Sequence, residues 1–154
     1  SYSLERESFG GPLAEKQTIQ NWIADSAAEI QACRLLTLDA AHKIDQGDEA
    51  RVEVSLIKFF AARVLHDVID RAVQVHGALG CSNETPLASL CMTVPMMGVM
   101  DGPSEVHRVT VAKQVLRQHK ASTDPLWPSA WLPAKIDAAR LKFADYLDAT
   151  VGNL

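Results

Sequence analysis

Apolar residues recur every three or four positions along two long stretches of the chain. The first stretch runs from about Leu13 to Asp45, and the second runs from about Glu49 to Val75. The stripe of the first comprises Ile19, Ile23, Ala27, Ile30, Cys33, Thr37, Ala41 and Ile44. The stripe of the second comprises Val54, Ile57, Ala61, Val64, Val68, Ala72 and Val75. This spacing predicts two long amphipathic helices. Gly47 suits the left-handed position just past the first of them.

Shorter helices are predicted in the second half of the chain. One begins at Thr85-Pro86, with Thr85 as its cap and Pro86 at its first position. Pro95 lies inside this helix and must kink or break it, because an interior proline removes a hydrogen bond and clashes with the preceding turn. Another helix follows Pro103 and ends near Lys120.

The end of the chain carries a connector and one more predicted helix. The connector, residues 124–133, is rich in proline and tryptophan, and the helix spans about residues 134–149. We expect Trp127 or Trp131 to pack on the preceding helices, because an aromatic side chain buries a large area. A disordered tail is the alternative. Long helices with short connections and no strand alternation predict an all-α fold, an antiparallel helical bundle.

Composition narrows the class of protein without naming a function. A chain of 154 residues with 47% apolar and 22% charged residues is typical of a soluble globular protein with a real core. A net charge of −4 gives no reason to expect nucleic acid as a partner. No apolar run is long enough for a membrane span, and no signal-peptide pattern is present. Three cysteines without C-x-x-C spacing favour a reducing, intracellular compartment.

Two common kinds of site in helical proteins are disfavoured. Di-metal bundles use Glu-x-x-His pairs on facing helices, and this sequence contains none. The five histidines, at positions 42, 66, 76, 107 and 119, lack ligand spacing, so we expect no metal site. No Ser or Cys lies in a recognisable nucleophile elbow, and Cys33 belongs to an apolar stripe.

Two segments are candidates for chemistry. Asp101 and Gly102 form a flexible corner before a helix, where a carboxylate base and unpaired backbone N–H groups would lie close together. The bland alternative is a helix cap or a solvated turn. Residues 74–80 end a long helix with small side chains that would let a ligand approach the backbone. A plain helix end and turn is the alternative there.

Three segments together resemble one family. Residues 2–13, followed by Gln17, resemble the R-x-x-F-G-x-P-L…Q signature of the acyl-CoA dehydrogenases. Residues 74–80 resemble that family's Q-x-x-G-G-x-G segment. Residues 100–108 resemble its catalytic Y-E-G-T-x-x-x-x-R segment, in the D-G-P-x-E-V-H form of one branch. Their order and separations agree, and the resemblance covers about residues 2–120.

The resemblance implies the C-terminal helical domain of a flavoprotein, with the first bundle helix mostly missing and an extra helix at the end. It implies FAD as cofactor, an acyl-CoA substrate, a dimer or tetramer, and an electron-accepting flavoprotein or oxygen as acceptor. Asp101 matches the base that removes the α-proton of the thioester. The positions matched to cofactor contacts, several commonly made to a neighbouring subunit, are Arg6, Gln17, Gln74, Val75, His76, Gly77, Ala78, Ser104 and Glu105.

Elementary chemistry agrees with these roles. Arg6 is permanently charged and can pair with a pyrophosphate. The small residues at 77 and 78 admit a cofactor, although Ala78 replaces the family's second glycine. A base for a weakly acidic carbon needs a raised pKa, which burial beside flavin and acyl chain would supply. Asp101 is one methylene shorter than the Glu commoner at its position.

We therefore expect α,β-dehydrogenation of a medium, long or branched fatty acyl-CoA, as in β-oxidation. Residues 1–120 form the family-like domain, and residues 121–154 form the connector and last helix. The alternatives are a non-catalytic helical module that mediates oligomerisation, and an inactive homologue. We also expect that the chain has lost its beginning, because its first residues have helical composition without a cap.

Overall fold

The computed structural model describes residues 1–120 and 128–146. The chain divides into two compact units, residues 1–115 and residues 116–154. Six α-helices are described: α1 (Tyr2–Glu5), α2 (Gln17–Asp45), α3 (Arg51–His76), α4 (Leu87–Thr93), α5 (Ser104–Arg117) and α6 (Pro128–Lys142). The predicted all-α class is confirmed. The only sheet among the described residues is a hairpin of two strands, each two residues long, near the start of the chain.

Helices α2 and α3 run antiparallel and form the frame of the first unit. Near one end, Arg71 Nη1 of α3 donates to Glu29 Oε2 at 2.7 Å and to Ser26 Oγ at 3.1 Å, both on α2. Near the other end, Lys43 of α2 donates to Glu53 of α3. That hydrogen bond raises the pKa of Lys43 and holds the pKa of Glu53 below its ordinary value of 4.5. Polar contacts therefore fix the register of the pair near both ends.

The turn between the two long helices explains a small shift from prediction. Gly47 is left-handed, with φ 86°, as predicted for the position past the end of α2. Ala50 is buried and also left-handed, with φ 46°, and its N–H donates to Asp48 Oδ1 at 3.1 Å. This side-chain turn occupies residues 48–50, so α3 begins at Arg51 instead of Glu49.

The start of the chain departs from prediction. Strands β1 (Glu7–Ser8) and β2 (Gly11–Pro12) pair antiparallel, and Phe9 and Gly10 turn between them with φ 50° and 82°. Two positive φ values are the mark of a tight hairpin whose twist suits its strands. The first long helix was predicted from Leu13, but residues 13–15 form a 3-10 turn and Lys16 is extended, so α2 begins at Gln17.

The segment after α3 contains two 3-10 turns, Gly77–Cys81 and Val94–Gly98. Pro95 lies in the second turn, so the predicted helix breaks there. The predicted capping by Thr85 is wrong. Its hydroxyl donates to the carbonyl of Leu79 at 3.4 Å, and Pro86 takes the cap position of α4.

The second unit also differs from prediction. Helix α6 begins at Pro128 and runs through Pro133, so residues 128–133 of the predicted connector are helical. Trp131 stays 42% exposed, and the ammonium of Lys135 lies 4.4 Å from its ring centroid. The predictions for Trp127 and for the helix beyond residue 146 fall outside the described residues. Helix α5 ends at Arg117, three residues before the predicted Lys120.

The core among the described residues is thin. Its buried apolar side chains are those of Ile19, Ala40, Ala50, Val64 and Val94. Many apolar residues of the two long helices, both inside and beside the predicted stripes, are instead exposed, including Ile23, Ile30, Leu35, Leu38, Ile44, Val54 and Leu65. Exposed apolar rows of this kind mark interaction surfaces. None of the helices in the described part of the chain is long and apolar enough to cross a membrane.

The ion pair at the turn predicts a pH dependence of stability. Because the pKa of Glu53 is lowered on folding, its contribution is present above pH 4.5 and is lost as the pH falls through the folded pKa. Glu53→Gln should therefore lower the free energy of unfolding at pH 7. The difference in that free energy between wild type and the variant should become smaller as the pH falls towards 3.5. Urea denaturation at four pH values measures this, with the exposed Glu84→Gln as control. A Glu53→Gln penalty that stays constant down to pH 3.5 would contradict the pairing.

Candidate functional site

The corner that carries Asp101 has an unusual backbone. Asp101 is left-handed at φ 55°, and Gly102 follows at φ 98°. A left-handed conformation is uncommon for a residue with a side chain, so surrounding contacts must hold it. On the upstream side, the N–H of Met100 donates to the carbonyl of Met96 at 2.8 Å. On the downstream side, the carbonyl of Pro103 accepts the Val106 N–H at 3.0 Å, and α5 begins at Ser104, directly after Pro103.

His107 connects this corner to helix α3. Its Nε2 lies 3.2 Å from the backbone carbonyl oxygen of Asp101, and its Nδ1 lies 3.3 Å from Oγ of Ser55. Ser55 is only 4% exposed. A Cβ added to Gly102 would lie 2.9 Å from Nε2 of the same histidine. The φ of residue 102 favours glycine, and any larger residue there would also displace the imidazole of His107.

Two further contacts fix the same loop on the same face of α3. Lys58 Nζ donates to the carbonyl of Met97 at 2.6 Å. The guanidinium carbon of Arg108 lies 5.0 Å from the ring centroid of Phe59. Residues 55, 58 and 59 lie on one face because side chains three and four positions apart are neighbours on a helix. One face of α3 thus supports the loop before, at and after Asp101.

Asp101 lines an open cleft of about 490 Å³. The cleft residues are Glu49, Arg51, Val54, Ser55, Asp101, Gly102, Val106, His107 and Thr110. They combine apolar walls with a few polar groups, as ligand sites commonly do. The Asp101 side chain is exposed, so its carboxylate is accessible from the cleft.

The two other matched residues of this segment lie at the first turn of α5. Ser104 is half-buried, and its Oγ would lie 3.5 Å from a Cβ added to Gly98. Glu105 is exposed and lies 3.5 Å from Nη1 of Arg108. Their predicted role beside a cofactor stays a prediction.

The other matched residues gather at the opposite end of the α2–α3 pair. Gln17 begins α2, and residues 74–78 end α3 and start the following turn. Tyr2 stacks on His76, with ring centroids 4.2 Å apart and planes at 16°, which brings α1 and the adjoining Arg6 to this end. His76 Nδ1–H donates to the carbonyl of Ala72 at 2.7 Å, which fixes the ring.

The backbone at this end is open. Gly77 has φ 59° and ψ −135°, a conformation close to one that only glycine adopts readily. A Cβ added there would meet nothing within 4 Å, and the side chains of Gln74 and Ala78 are exposed. The guanidinium of Arg6 is exposed as well. An anionic ligand could therefore reach both the backbone at Gly77 and the guanidinium of Arg6.

A second cleft of about 420 Å³ adjoins the stacked pair. Its walls include Tyr2, Trp22, Val68, Arg71, Val75 and His76. Its surface is mostly apolar, in contrast to the more polar cleft at Asp101.

The two groups of matched residues are far apart. Ser55, beside the Asp101 loop, and His76 are separated by 21 positions of one continuous helix. At a rise of 1.5 Å per residue the separation is about 30 Å. The structure therefore brings Arg6, Gln17 and residues 74–78 to one end, and Asp101, Ser104 and Glu105 to the other. It does not bring the two groups together.

Alternative chemistries find no support in the described residues. Within residues 1–120 and 128–146, no cluster of three or more His, Cys, Asp or Glu could hold a metal ion. Burial raises the pKa of the Cys33 thiol, and the charge of Glu29 raises it further. Both effects suppress the thiolate that a nucleophile requires.

Sequence reasoning missed the contacts that hold the Asp101 loop. His107 lies inside the matched segment but counts there only as one scattered histidine. Ser55 is a polar residue between the stripe residues Val54 and Ile57. A polar residue beside an apolar stripe is the available signal, but it gives no indication of its partner.

Comparison with known proteins points to one family. Residues 1–116 match the model of the acyl-CoA dehydrogenase C-terminal domain. The probable acyl-CoA dehydrogenase FadE2 of Mycobacterium tuberculosis is 49% identical over 119 residues, 76% of this chain and 29% of that protein. The (R)-benzylsuccinyl-CoA dehydrogenase of Thauera aromatica is 43% identical over 112 residues, 72% of this chain and 28% of that protein.

Solved structures give the same result. Butyryl-CoA dehydrogenase from Megasphaera elsdenii superposes with a TM-score of 0.72 at 32% identity, over 75% of this chain and 30% of that chain. The electron transferring flavoprotein of Acidaminococcus fermentans gives 0.72 at 30% identity, over 75% and 30%. This chain spans less than a third of the length of each of these four proteins. The chain belongs to the acyl-CoA dehydrogenase family and corresponds to that family's C-terminal helical domain.

Proposed function

We propose that this chain provides the catalytic base of a flavin-dependent acyl-CoA dehydrogenase. Asp101 accepts a proton from the carbon α to the thioester carbonyl. FAD, when bound, supplies a two-electron acceptor for the hydride that leaves the β-carbon. The α C–H and β C–H bonds break, the α,β double bond forms, and one proton and one hydride are accounted for.

The observation that carries the proposal is the accessible carboxylate of Asp101 in a supported loop. A general base must reach its proton at hydrogen-bond distance with a fixed orientation. The left-handed backbone at Asp101, bonded on both sides, sets the direction of its Cα–Cβ bond. The valines of the adjacent cleft, Val54 and Val106, would pack against an acyl chain. Because Asp101 is exposed in this chain, water must be excluded by groups other than those of the described residues, and bound substrate and cofactor would contribute to that.

The opposite end of α3 fits part of a dinucleotide. An exposed Arg6 guanidinium can pair with a pyrophosphate, and Gly77 leaves its backbone open. The exposed Gln74 amide adds a donor and an acceptor. One of the similar solved structures is that of a flavoprotein, which supports a flavin cofactor.

The separation of the two ends supports an active site shared between subunits. One FAD cannot lie beside Asp101 and also reach residues 74–78 of the same chain across about 30 Å. We therefore propose that Asp101 serves one flavin, while Arg6 and Gln74 serve the flavin of a second copy. The exposed apolar rows of α2 and α3 supply surface for such a homo-oligomer.

The substrate class is an acyl-CoA thioester. Two of the relatives are named for benzylsuccinyl-CoA and butyryl-CoA, so the acyl group differs within the family. We propose a medium, long or branched acyl chain for this protein. An electron-accepting flavoprotein or oxygen is the proposed final acceptor.

The base is tested by Asp101→Asn in the complete flavin-loaded protein encoded by the gene. Asn keeps the shape of Asp but cannot accept the α-proton, so anaerobic flavin reduction by acyl-CoA should fall at least about 10²- to 10⁴-fold. Flavin content and thioester binding should be retained. Stopped-flow absorbance measures the rate, and Asp101→Glu should keep part of it.

Carboxylates near Asp101 provide the comparison. Glu49→Gln and Glu105→Gln make the same chemical change in the cleft and at the start of α5. If Asp101→Asn reduced flavin at the wild-type rate while one of these variants did not, the base assignment would be wrong. If none of the three had an effect, the chain would act as an assembly module.

Sharing between subunits is tested by mixing two inactive variants. Asp101→Asn removes the base, and the double variant Arg6→Ala/Gln74→Ala removes the dinucleotide contacts. If each site uses both subunits, a mixed dimer contains one intact site, and random mixing should restore up to about a quarter of wild-type activity. The control replaces Asp101 in the double variant as well, so that no intact site can form. Recovery no greater than in this control would show that all contacts come from one subunit.

A further inference from the structure

The bonding of His107 has a defined direction. The carbonyl oxygen of Asp101 can only accept a hydrogen bond, so the Nε2 that lies 3.2 Å away must carry the proton. In the neutral imidazole Nδ1 is then an acceptor, and the hydroxyl of Ser55 donates to it at 3.3 Å. The chain of donors runs from Ser55 through His107 to the backbone of Asp101.

This series of hydrogen bonds ends at the backbone carbonyl of Asp101, the residue proposed as base. The conformation at Asp101, φ 55°, is one that most residues avoid, and a change in that angle would turn the carboxylate away. A hydrogen bond to the Asp101 carbonyl opposes such a change, because the carbonyl rotates with the same backbone bonds. Ser55 is only 4% exposed, so it holds the His107 ring from the buried side of α3.

We infer that Ser55 and His107 form a positioning relay that holds the Asp101 carboxylate in the orientation needed for proton abstraction. The inference rests on the proposed role of Asp101 as base. His107 acts on the backbone of Asp101 through Nε2–H, and Ser55 acts by selecting the tautomer that carries this proton. Neither side chain exchanges a proton with the substrate.

Gly102 also contacts the positioning relay, through the imidazole of His107. The imidazole lies so close that any Cβ at residue 102 would meet Nε2 at 2.9 Å. The space over Gly102 is therefore filled by the His107 ring. The glycine and the histidine are coupled by this contact, beyond the freedom of backbone that a turn requires.

Two amide variants separate the two hydrogen bonds. The amide nitrogen of Gln in His107→Gln can occupy the position of Nε2 and donate to the Asp101 carbonyl. The shorter His107→Asn can reach only towards the position of Nδ1 and Ser55. In the complete flavin-loaded protein, His107→Asn should slow flavin reduction by acyl-CoA about 10- to 100-fold, as expected for a misplaced catalytic group. His107→Gln should stay within about threefold of wild type.

Ser55→Ala tests the tautomer step. In the histidine background it should slow flavin reduction several-fold, because Nδ1 loses its donor and the ring is free to hold its proton there. In the His107→Gln background it should cause no further loss, because the glutamine amide needs no tautomer. This double-mutant cycle isolates the coupling between the two residues from a general effect on packing.

Hydrogen–deuterium exchange provides a readout that does not depend on activity. The amides of Val99 and Met100 are bonded to the carbonyl of Met96 just before the corner. Their exchange should accelerate in His107→Asn and remain as in wild type in His107→Gln. Exchange in α2 should be unchanged in both variants.

The outcomes decide between the relay and the base. If Asp101→Asn abolishes flavin reduction while His107→Asn keeps the wild-type rate and local exchange, the relay is overturned and the base stands. If His107→Gln is as slow as His107→Asn, the bond to the Asp101 carbonyl is not what matters, and the relay is again overturned. If Asp101→Asn itself keeps the wild-type rate, the proposed function fails first.

Discussion

Hydrogen bonds between α2 and α3 near both ends of the pair set the geometry on which the site depends. Arg71 bonds Ser26 and Glu29 near one end, and Lys43 bonds Glu53 near the other. A 26-residue helix held in register in this way acts as a rigid spacer. The residues matched to dinucleotide contacts lie at one end of this helix, and the Asp101 loop lies at the other. In the proposed function, the two sets of residues therefore serve two different flavins, one in each of two copies of the chain.

The Asp101 loop illustrates how a helix can support a strained corner. Three neighbouring positions of α3 contact the loop or the helix α5 that follows it. Lys58 donates to the carbonyl of Met97 before Asp101, while Ser55 and Phe59 contact His107 and Arg108 of α5. The strain at Asp101 and the glycine after it are local, but the contacts that hold them come from about 40 to 50 residues earlier in the chain. The backbone conformation at Asp101 thus depends on packing between α3 and α5.

Periodicity predicted the long helices because their apolar stripes extend over many turns, and Gly47 marked the end of the first. It could not predict the hairpin at Phe9 and Gly10, since strands of two residues show no alternation. Helix starts at Gln17 and Arg51 were displaced by turns whose side-chain and backbone bonds compete with the helix. Helix α6 continues through Pro133, although proline was expected to mark the connector there. Motif matching proposed Asp101 and Gln74 as site residues, but the contacts that His107 makes with Ser55 and Asp101 could be seen only in the structure.

The proposed role of Asp101 is to remove a proton from the α-carbon of an acyl-CoA. An acyl-CoA whose β-carbon carries no hydrogen cannot be dehydrogenated, so its α-hydrogens report the base alone. Incubating the complete flavin-loaded protein with such a thioester in D₂O and following its mass measures exchange at the α-carbon. We expect deuterium uptake by the wild-type protein and loss of that uptake in Asp101→Asn. Equal uptake by both proteins would contradict this role.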